Sequence, residues 1–285
     1  MMFKSAFSLV ICFTLHLSMS AQADMAISKG DKIAFLGDSI TAGGAKPGGY
    51  CNLIIETLNK KGLAVTPAYA GVSGHKSNQM LARLDKDVLS QKPQWMTLSC
   101  GVNDVWHGVN GVNLEDYKKN ITSIVDQAQA AGIKVIILTS TMITENQAGE
   151  PNQKLMAYNE FLVQLSKEKK CLLADLNSLM QETIKTLDKD AKGNTVTVDG
   201  VHMNSTGNMM MAKGILTSIG FTVDELKTIE SEWVKIPNTN EIRVSLGLSH
   251  AELTQLQQAA KAQGKTLQQL FDETIQNKKA ELMKP

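Results

Sequence analysis

An apolar run that stops at a glycine and hands over to a helix constrains this chain more than any other feature: Lys32-Ile33-Ala34-Phe35-Leu36-Gly37-Asp38-Ser39-Ile40-Thr41. Consecutive apolar residues without alternation suit a strand covered on both faces, which is the habit of parallel sheets. Where such a strand turns into a helix, the first residues after it stand at the carboxyl edge of the sheet, where open α/β sheets hold their ligands. The hydroxyl of Ser39 is therefore expected at that edge.

The pattern repeats to about Gly220. Ile33 to Leu36 is followed by a helix from about Tyr50 to Lys61, Val65 to Ala70 by one around Asn78 to Leu89, and Trp95 to Ser99 by one from Leu114 to Ala131. Lys134 to Thr139 and Cys171 to Leu176 give a fourth and a fifth strand. Short apolar strands separated by amphipathic helices predict a three-layer α/β/α sandwich on a five-stranded parallel sheet. In the third helix Tyr117, Ile121, Ile124, Val125 and Ala128 recur at helical spacing and Gly132 stops it, so its apolar face is assigned to the core.

Three more strand ends carry residues with chemistry. Tyr69-Ala70-Gly71-Val72-Ser73-Gly74 ends the second strand, and glycine lets a backbone NH approach a reacting oxygen unobstructed. Gly101-Val102-Asn103-Asp104 follows the third strand, delivering an amide that needs an acceptor; Asp104 reads as a structural hydrogen-bonding residue. Trp106 and His107 come next and are expected on the rim, where an indole can stack on a sugar or pack beneath the loop. Asp199-Gly200-Val201-His202 lies beyond the last strand, and a spacing of three across a tight turn can bring a carboxylate under an imidazole. Asp104 and His107 share that spacing, so spacing alone does not choose between the two histidines. Asn204 to Thr206, able to cap a helix behind it, favours His202.

These four blocks, in this order, resemble the GDSL, or SGNH, family of serine hydrolases. The resemblance runs from Gly37 to His202 and implies the flavodoxin-like form of the α/β/α sandwich. It implies Ser39 as nucleophile, His202 as general base and then acid, and Asp199 as the acid that orients it. It also favours His202 over His107, because the family places acid and base late in the chain. The oxyanion hole it implies is made by the NH groups of Ser39 and Gly74 with the side chain of Asn103, and no metal or organic cofactor is needed. Many members carry an asparagine two residues before the first glycine of the second block, where this chain has Tyr69.

Met1 to Ala23 reads as an export signal, with Lys4, an apolar stretch from Phe7 to Leu17, and Ala21-Gln22-Ala23 as the cleavage site. That apolar stretch is shorter than the roughly 20 residues a membrane span needs, so removal is expected rather than stable anchoring. The chain has 29 basic and 28 acidic residues. Such balance offers no electrostatic footprint for nucleic acid. Cys12 leaves with the signal, and Cys51, Cys100 and Cys171 are expected as buried thiols, with a Cys51–Cys100 bridge left open. Neutral charge, few aromatic residues, Trp106 on the rim and no apolar lid segment point to an exported carbohydrate deacetylase or deacylase acting on a small-molecule or polysaccharide ester. A lipase or thioesterase, or a glycan-binding relative without turnover, are the alternatives.

The hydrolase domain is expected over residues 24–221 and a mostly helical extension over 222–285. Val223 to Trp233 is polar and helical, Pro237 to Asn240 a turn, and Glu241 to Leu246 alternates like a strand. Ser249-His250-Ala251-Glu252 and Thr266-Leu267-Gln268-Gln269 are capping boxes that each open a helix. The strand-helix-helix order resembles a ribbon-helix-helix module, but a DNA role conflicts with export and neutral charge; an appendage on the hydrolase or a self-association element, giving a homo-oligomer, fits better. Since every block with chemistry lies upstream, truncation at Thr239 is expected to preserve turnover of a small acetyl ester while lowering stability or oligomer order. Steady-state kinetics of the soluble truncated protein checks this.

Overall fold

The computed structural model describes residues 25–187, 193–236 and 247–284. The export segment 1–23 and the expected turn and strand over 237–246 lie outside the described residues.

Five parallel strands form one sheet in the order β2-β1-β3-β4-β5. They are β1 Lys32–Gly37, β2 Thr66–Gly71, β3 Trp95–Ser99, β4 Lys134–Leu138 and β5 Leu172–Ala174. Phe35 of β1 pairs with Tyr69 on one side and Thr97 on the other, and Leu36 with Ala70 and Leu98. β1 is therefore central to three adjacent strands, and the chain leaves it toward β2 first and toward β3, β4 and β5 afterwards. The crevice where the order reverses opens at the carboxyl ends of β1 and β3.

Helices cover both faces. α1 (Ser39–Gly44) and α2 (Tyr50–Lys60) follow β1, α3 (Ser77–Ala82) and α4 (Leu84–Asp87) follow β2, and α5 (Val102–Trp106) and α6 (Leu114–Ala130) follow β3. α7 (Glu150–Glu168), α8 (Leu176–Thr186), α9 (Ser205–Ser218) and α10 (Val223–Trp233) complete the layers. α2 and α8 pack with α9, whereas α6 packs with α3 and α7. The stripe Tyr117, Ile121, Ile124, Val125 and Ala128 of α6 is fully buried, as its spacing predicts. Burying each of the large aliphatic members contributes about 1.5 to 3 kcal/mol relative to exposure.

Three local expectations need correction. The helix expected from Asn78 to Leu89 is broken at Arg83 into α3, α4 and a 3-10 turn Leu89–Gln91. β5 is shorter than expected, because Asp175 caps α8 by accepting from the Ser178 NH and so ends the strand. Cys51 and Cys100 are buried free thiols, so they do not pair, but Cys171 is only half-buried.

The chain divides into two compact units at Asn240/Glu241. α10, placed with the C-terminal extension in the sequence, packs instead on α9 of the first unit, where it buries Trp233 and pairs Glu232 with Lys60 at 2.8 Å. The second unit holds α11 (His250–Ala262) and α12 (Leu267–Leu282) as a helical hairpin. Both expected capping boxes are formed, Ser249 with Glu252 and Thr266 with Gln269.

α1 lies so close to the strand ends that glycine is required beneath it: a Cβ on Gly71 would meet the Ala42 nitrogen at 2.3 Å and the Thr41 carbonyl carbon at 2.7 Å. Both are backbone atoms that cannot rotate away. Gly71→Ala is therefore expected to cost about 1 to 3 kcal/mol, the usual penalty of overpacking, read as a lower midpoint in urea with an unchanged slope.

Candidate active site

Three of the expected residues arrive from three neighbouring strands. Ser39 is the first residue of α1, directly beyond β1; Gly74 lies in the loop after β2 with φ +75°, a conformation glycine adopts without strain; Asn103 lies in α5, just beyond β3. Because the sheet order is β2-β1-β3, Ser39 stands between the elements carrying the other two.

His202 reaches Ser39 across 163 positions of sequence. Its Nε2 lies 2.8 Å from Ser39 Oγ, and its Nδ1 lies 2.7 Å from Asp199 Oδ2. The other carboxylate oxygen of Asp199 accepts from the NH groups of Val201 at 3.0 Å and His202 at 2.8 Å, so the carboxylate organises its own turn. Burial pushes the Asp199 carboxyl up, but the hydrogen bonds from His202 and Val201 outweigh it, and its pKa falls below the ordinary value. An ionised carboxylate on Nδ1 fixes that nitrogen as donor and leaves Nε2 to accept from the serine. The side chains of His202 and Asp199 are 38% and 49% exposed, so the pair is reached from solvent.

The rival pair does not form. Asp104, 1% exposed, accepts from the NH and hydroxyl of Ser77 at 3.0 and 2.6 Å and from the Cys100 thiol at 3.4 Å, while His107 is exposed. Trp106 is 49% exposed and its ring centroid lies 6.3 Å from that of His107. The turn that follows them is tied to the loop after β2 by the Lys76 ammonium, which donates to the Asn110 carbonyl.

Asn103 is buried, and its Nδ2 donates to Asp38 Oδ2 at 3.2 Å and to the His75 carbonyl at 3.3 Å. Asp38 and Arg83 are parts of the site that sequence reasoning did not single out. Asp38 is 2% exposed, caps α1 through the Ile40 NH at 2.9 Å and holds the Asn103 amide. Burial raises its carboxyl to about 6 against the opposing pull of the Ile40 NH and the His202 charge. The Arg83 guanidinium donates to the carbonyls of Gly37 and Ala70, both at 2.8 Å, and to His75 Nδ1 at 3.1 Å, joining the ends of β1 and β2 to the Gly74 loop. An arginine inside an amphipathic helical pattern gives no sign of this. Among the described residues no group of three or more His, Cys, Asp or Glu side chains could hold a metal ion.

Residues 35–210 match the GDSL-like lipase/acylhydrolase family. An acetylxylan esterase of Geobacillus stearothermophilus is 28% identical over 231 residues, which is 74% of this chain and 99% of that protein. The crystal structure of Axe2, an acetylxylan esterase from the same organism, superposes with a TM-score of 0.63 at 28% identity, covering 70% of this chain and 98% of its own. Its catalytic mutants replace a serine, an aspartate or a histidine by alanine. A second acetyl xylan esterase structure is 30% identical with a TM-score of 0.61, covering 66% of this chain and 99% of its own. An uncharacterized lipoprotein of Bacillus subtilis is 28% identical over 111 residues, 38% of this chain and 44% of that protein.

The raised pKa of Asp38 makes a signed prediction. Above about pH 6 its carboxylate is charged in both folded and unfolded states and burial opposes folding; between about pH 6 and 4 the folded state takes up a proton and that cost disappears. Asp38→Asn keeps an acceptor for Ile40 and carries no charge. Its stability relative to the parent should therefore rise from pH 4 to 6 by on the order of 3 kcal/mol and then stay level, measured by urea denaturation across that range.

Proposed function

The chain belongs to the GDSL-like lipase/acylhydrolase family and is a hydrolase of ester bonds, and on that premise we propose that it is an exported carbohydrate deacetylase working through Ser39, His202 and Asp199. The observation that carries the reading is the unbroken line from Ser39 Oγ to His202 Nε2 at 2.8 Å and from His202 Nδ1 to Asp199 at 2.7 Å. In the relative whose catalytic aspartate and histidine were replaced, those two residues are three positions apart, as Asp199 and His202 are here.

Ser39 Oγ attacks the ester carbonyl carbon while its proton passes to His202 Nε2, and Asp199 stabilises the imidazolium without taking the proton. The NH groups of Ser39 and Gly74 receive the oxyanion of the tetrahedral intermediate, joined by the Asn103 amide when one of its two N–H groups exchanges Asp38 or the His75 carbonyl for it, and such donors are typically worth a hundredfold or more each. His202 then returns the proton to the departing alcohol, leaving an acyl group on Ser39. A water that gives its proton to His202 attacks that acyl group, and release of the carboxylic acid restores the serine. Ester and water are consumed, acid and alcohol are formed, and the residues present supply every proton transfer.

Several features support a carbohydrate ester as substrate. Two relatives are acetylxylan esterases. The acid and base are open to solvent, which suits an acetyl group carried on a bulky polar alcohol better than a lipid needing a dry groove. Trp106, at the end of the helix that carries Asn103, is half exposed, and an exposed indole is a stacking platform for a sugar ring. Export rests on the segment Met1 to Ala23 and on the lipoprotein relative; among the described residues no helix is long and apolar enough to cross a membrane.

Ser39→Ala is expected to lower turnover of an acetyl ester by roughly a thousandfold or more with the fold intact. The parent should release acetate from acetylated xylo-oligosaccharides and lose rate along an acetyl, butyryl and octanoyl ester series. A rate that climbs with chain length would favour a lipase. Wild-type turnover in purified Ser39→Ala would remove Ser39 from the reaction.

A further inference from the structure

The turn that carries Asp199 and His202 is fastened from behind by a carboxylate that the reaction does not use. Residues 195–204 fold back on themselves: Thr197 and Met203 form an antiparallel bridge, the Val198 NH donates to the His202 carbonyl at 2.8 Å, and the Asn204 NH donates to the Val196 carbonyl at 3.1 Å. Asp199 and His202 stand at the tip. The outgoing arm is fixed where Asn204 caps α9, accepting from the Gly207 NH at 3.0 Å. The incoming arm runs onto Glu145, in the loop after β4.

Glu145 accepts four hydrogen bonds from three consecutive residues. The NH groups of Thr195, Val196 and Thr197 donate to its carboxylate at 2.6, 2.9 and 2.8 Å, and the Thr197 hydroxyl donates at 2.7 Å. The same hydroxyl accepts from the Gly200 NH at 3.1 Å, inside the turn between Asp199 and His202. A continuous relay therefore runs from Glu145 through Thr197 to the backbone that holds the acid and the base. Burial pushes the Glu145 carboxyl up, and the bonds from Thr195, Thr197 and Val196 bring it below the ordinary value, so it is ionised wherever the enzyme works near neutrality.

The far end of the relay is rigid. Asn152 of α7 clasps the loop: its Oδ1 accepts from the Ile143 NH at 2.8 Å, and its Nδ2 donates to the Ile143 and Asn146 carbonyls at 2.7 and 2.8 Å. Thr144, between them, has φ +62°, an unfavourable conformation for a β-branched residue that persists only where the surroundings fix it. Its Cα backs onto Gly200, where a Cβ would sit 3.4 Å away. The Glu145 hydrogen bonds and this close approach thus both set the acid–base turn beside a single loop.

We infer that Glu145, acting through the Thr197 hydroxyl, is a positioning residue that holds His202 in line with Ser39. This rests on the proposed roles of Ser39, His202 and Asp199. Glu145 lies behind the turn, bonded to its backbone, so its loss should leave substrate binding alone and slow the proton transfers, which are sensitive to misplacements of about 1 Å.

The test is steady-state kinetics on an acetyl ester with the full-length chain, for Glu145→Gln, Thr197→Val and Thr197→Ser, with Ser39→Ala as reference. Glu145→Gln turns an NH2 toward backbone NH donors, while Thr197→Val keeps the shape and deletes the relay. Both should lose roughly ten- to a hundredfold in kcat with KM within about twofold, and Thr197→Ser, which restores the hydroxyl, should return kcat to within about twofold of the parent. Should Glu145→Gln fold poorly, the Thr197 pair decides. Wild-type kcat in Thr197→Val, or a change confined to KM, overturns the inference while an inactive Ser39→Ala leaves the assigned roles standing. An active Ser39→Ala overturns those roles themselves.

Discussion

A parallel sheet covered on both faces leaves the carboxyl ends of its inner strands as the place where backbone and side chains meet a ligand, and here β1, flanked by β2 and β3, ends at Gly37 and hands over to Asp38 and Ser39. The remaining architecture serves that constraint. α1 can start directly at Ser39 because Gly71 of the neighbouring strand lets its backbone pass within contact distance. β2 and β3 then deliver Gly74 and Asn103 to either side, and the chain after β5 returns across the sheet edge to bring His202 back to Ser39. No single segment holds the site, and each contributes the residue its strand end happens to carry.

The electrostatics beneath the site are less economical than its geometry. Two carboxylates, Asp38 and Asp104, are almost wholly buried below the loops, and burial raises the pKa of each. Asp104 is contained by Ser77 and the Cys100 thiol and ties the start of α3 to α5. Asp38 is left facing the Asn103 amide and the Ile40 NH. A buried anion that holds an amide donor in place costs stability and gives orientation, which is the usual bargain at a working site. Asp199, in contrast, is half exposed and lowered, suited to staying ionised under the imidazole.

Much of this was legible in the sequence because it is written in local patterns. Short apolar runs located β1 to β4, the first three of them running into glycine, the stripe from Tyr117 to Ala128 located the buried face of α6, and Thr266 with Gln269 announced α12. The break at Arg83 was not legible, since its guanidinium is spent on carbonyls of two strands that adjoin only in the folded sheet. Nor were Glu145 and Thr197: an acidic loop residue reads the same whether its carboxylate faces water or three backbone NH groups. Cys171 misled for the opposite reason, being apolar enough to expect inside yet set at the edge strand, where it remains half-buried.

The central claim is that Ser39, His202 and Asp199 act as one unit on an acyl group, and covalent capture tests it most directly. Treatment of the full-length protein with a fluorophosphonate, followed by peptide mass mapping, should give one adduct per chain on Ser39, formed at a rate that collapses in His202→Ala. An adduct on another residue, or unimpeded ester hydrolysis by protein that takes up none, would contradict the account.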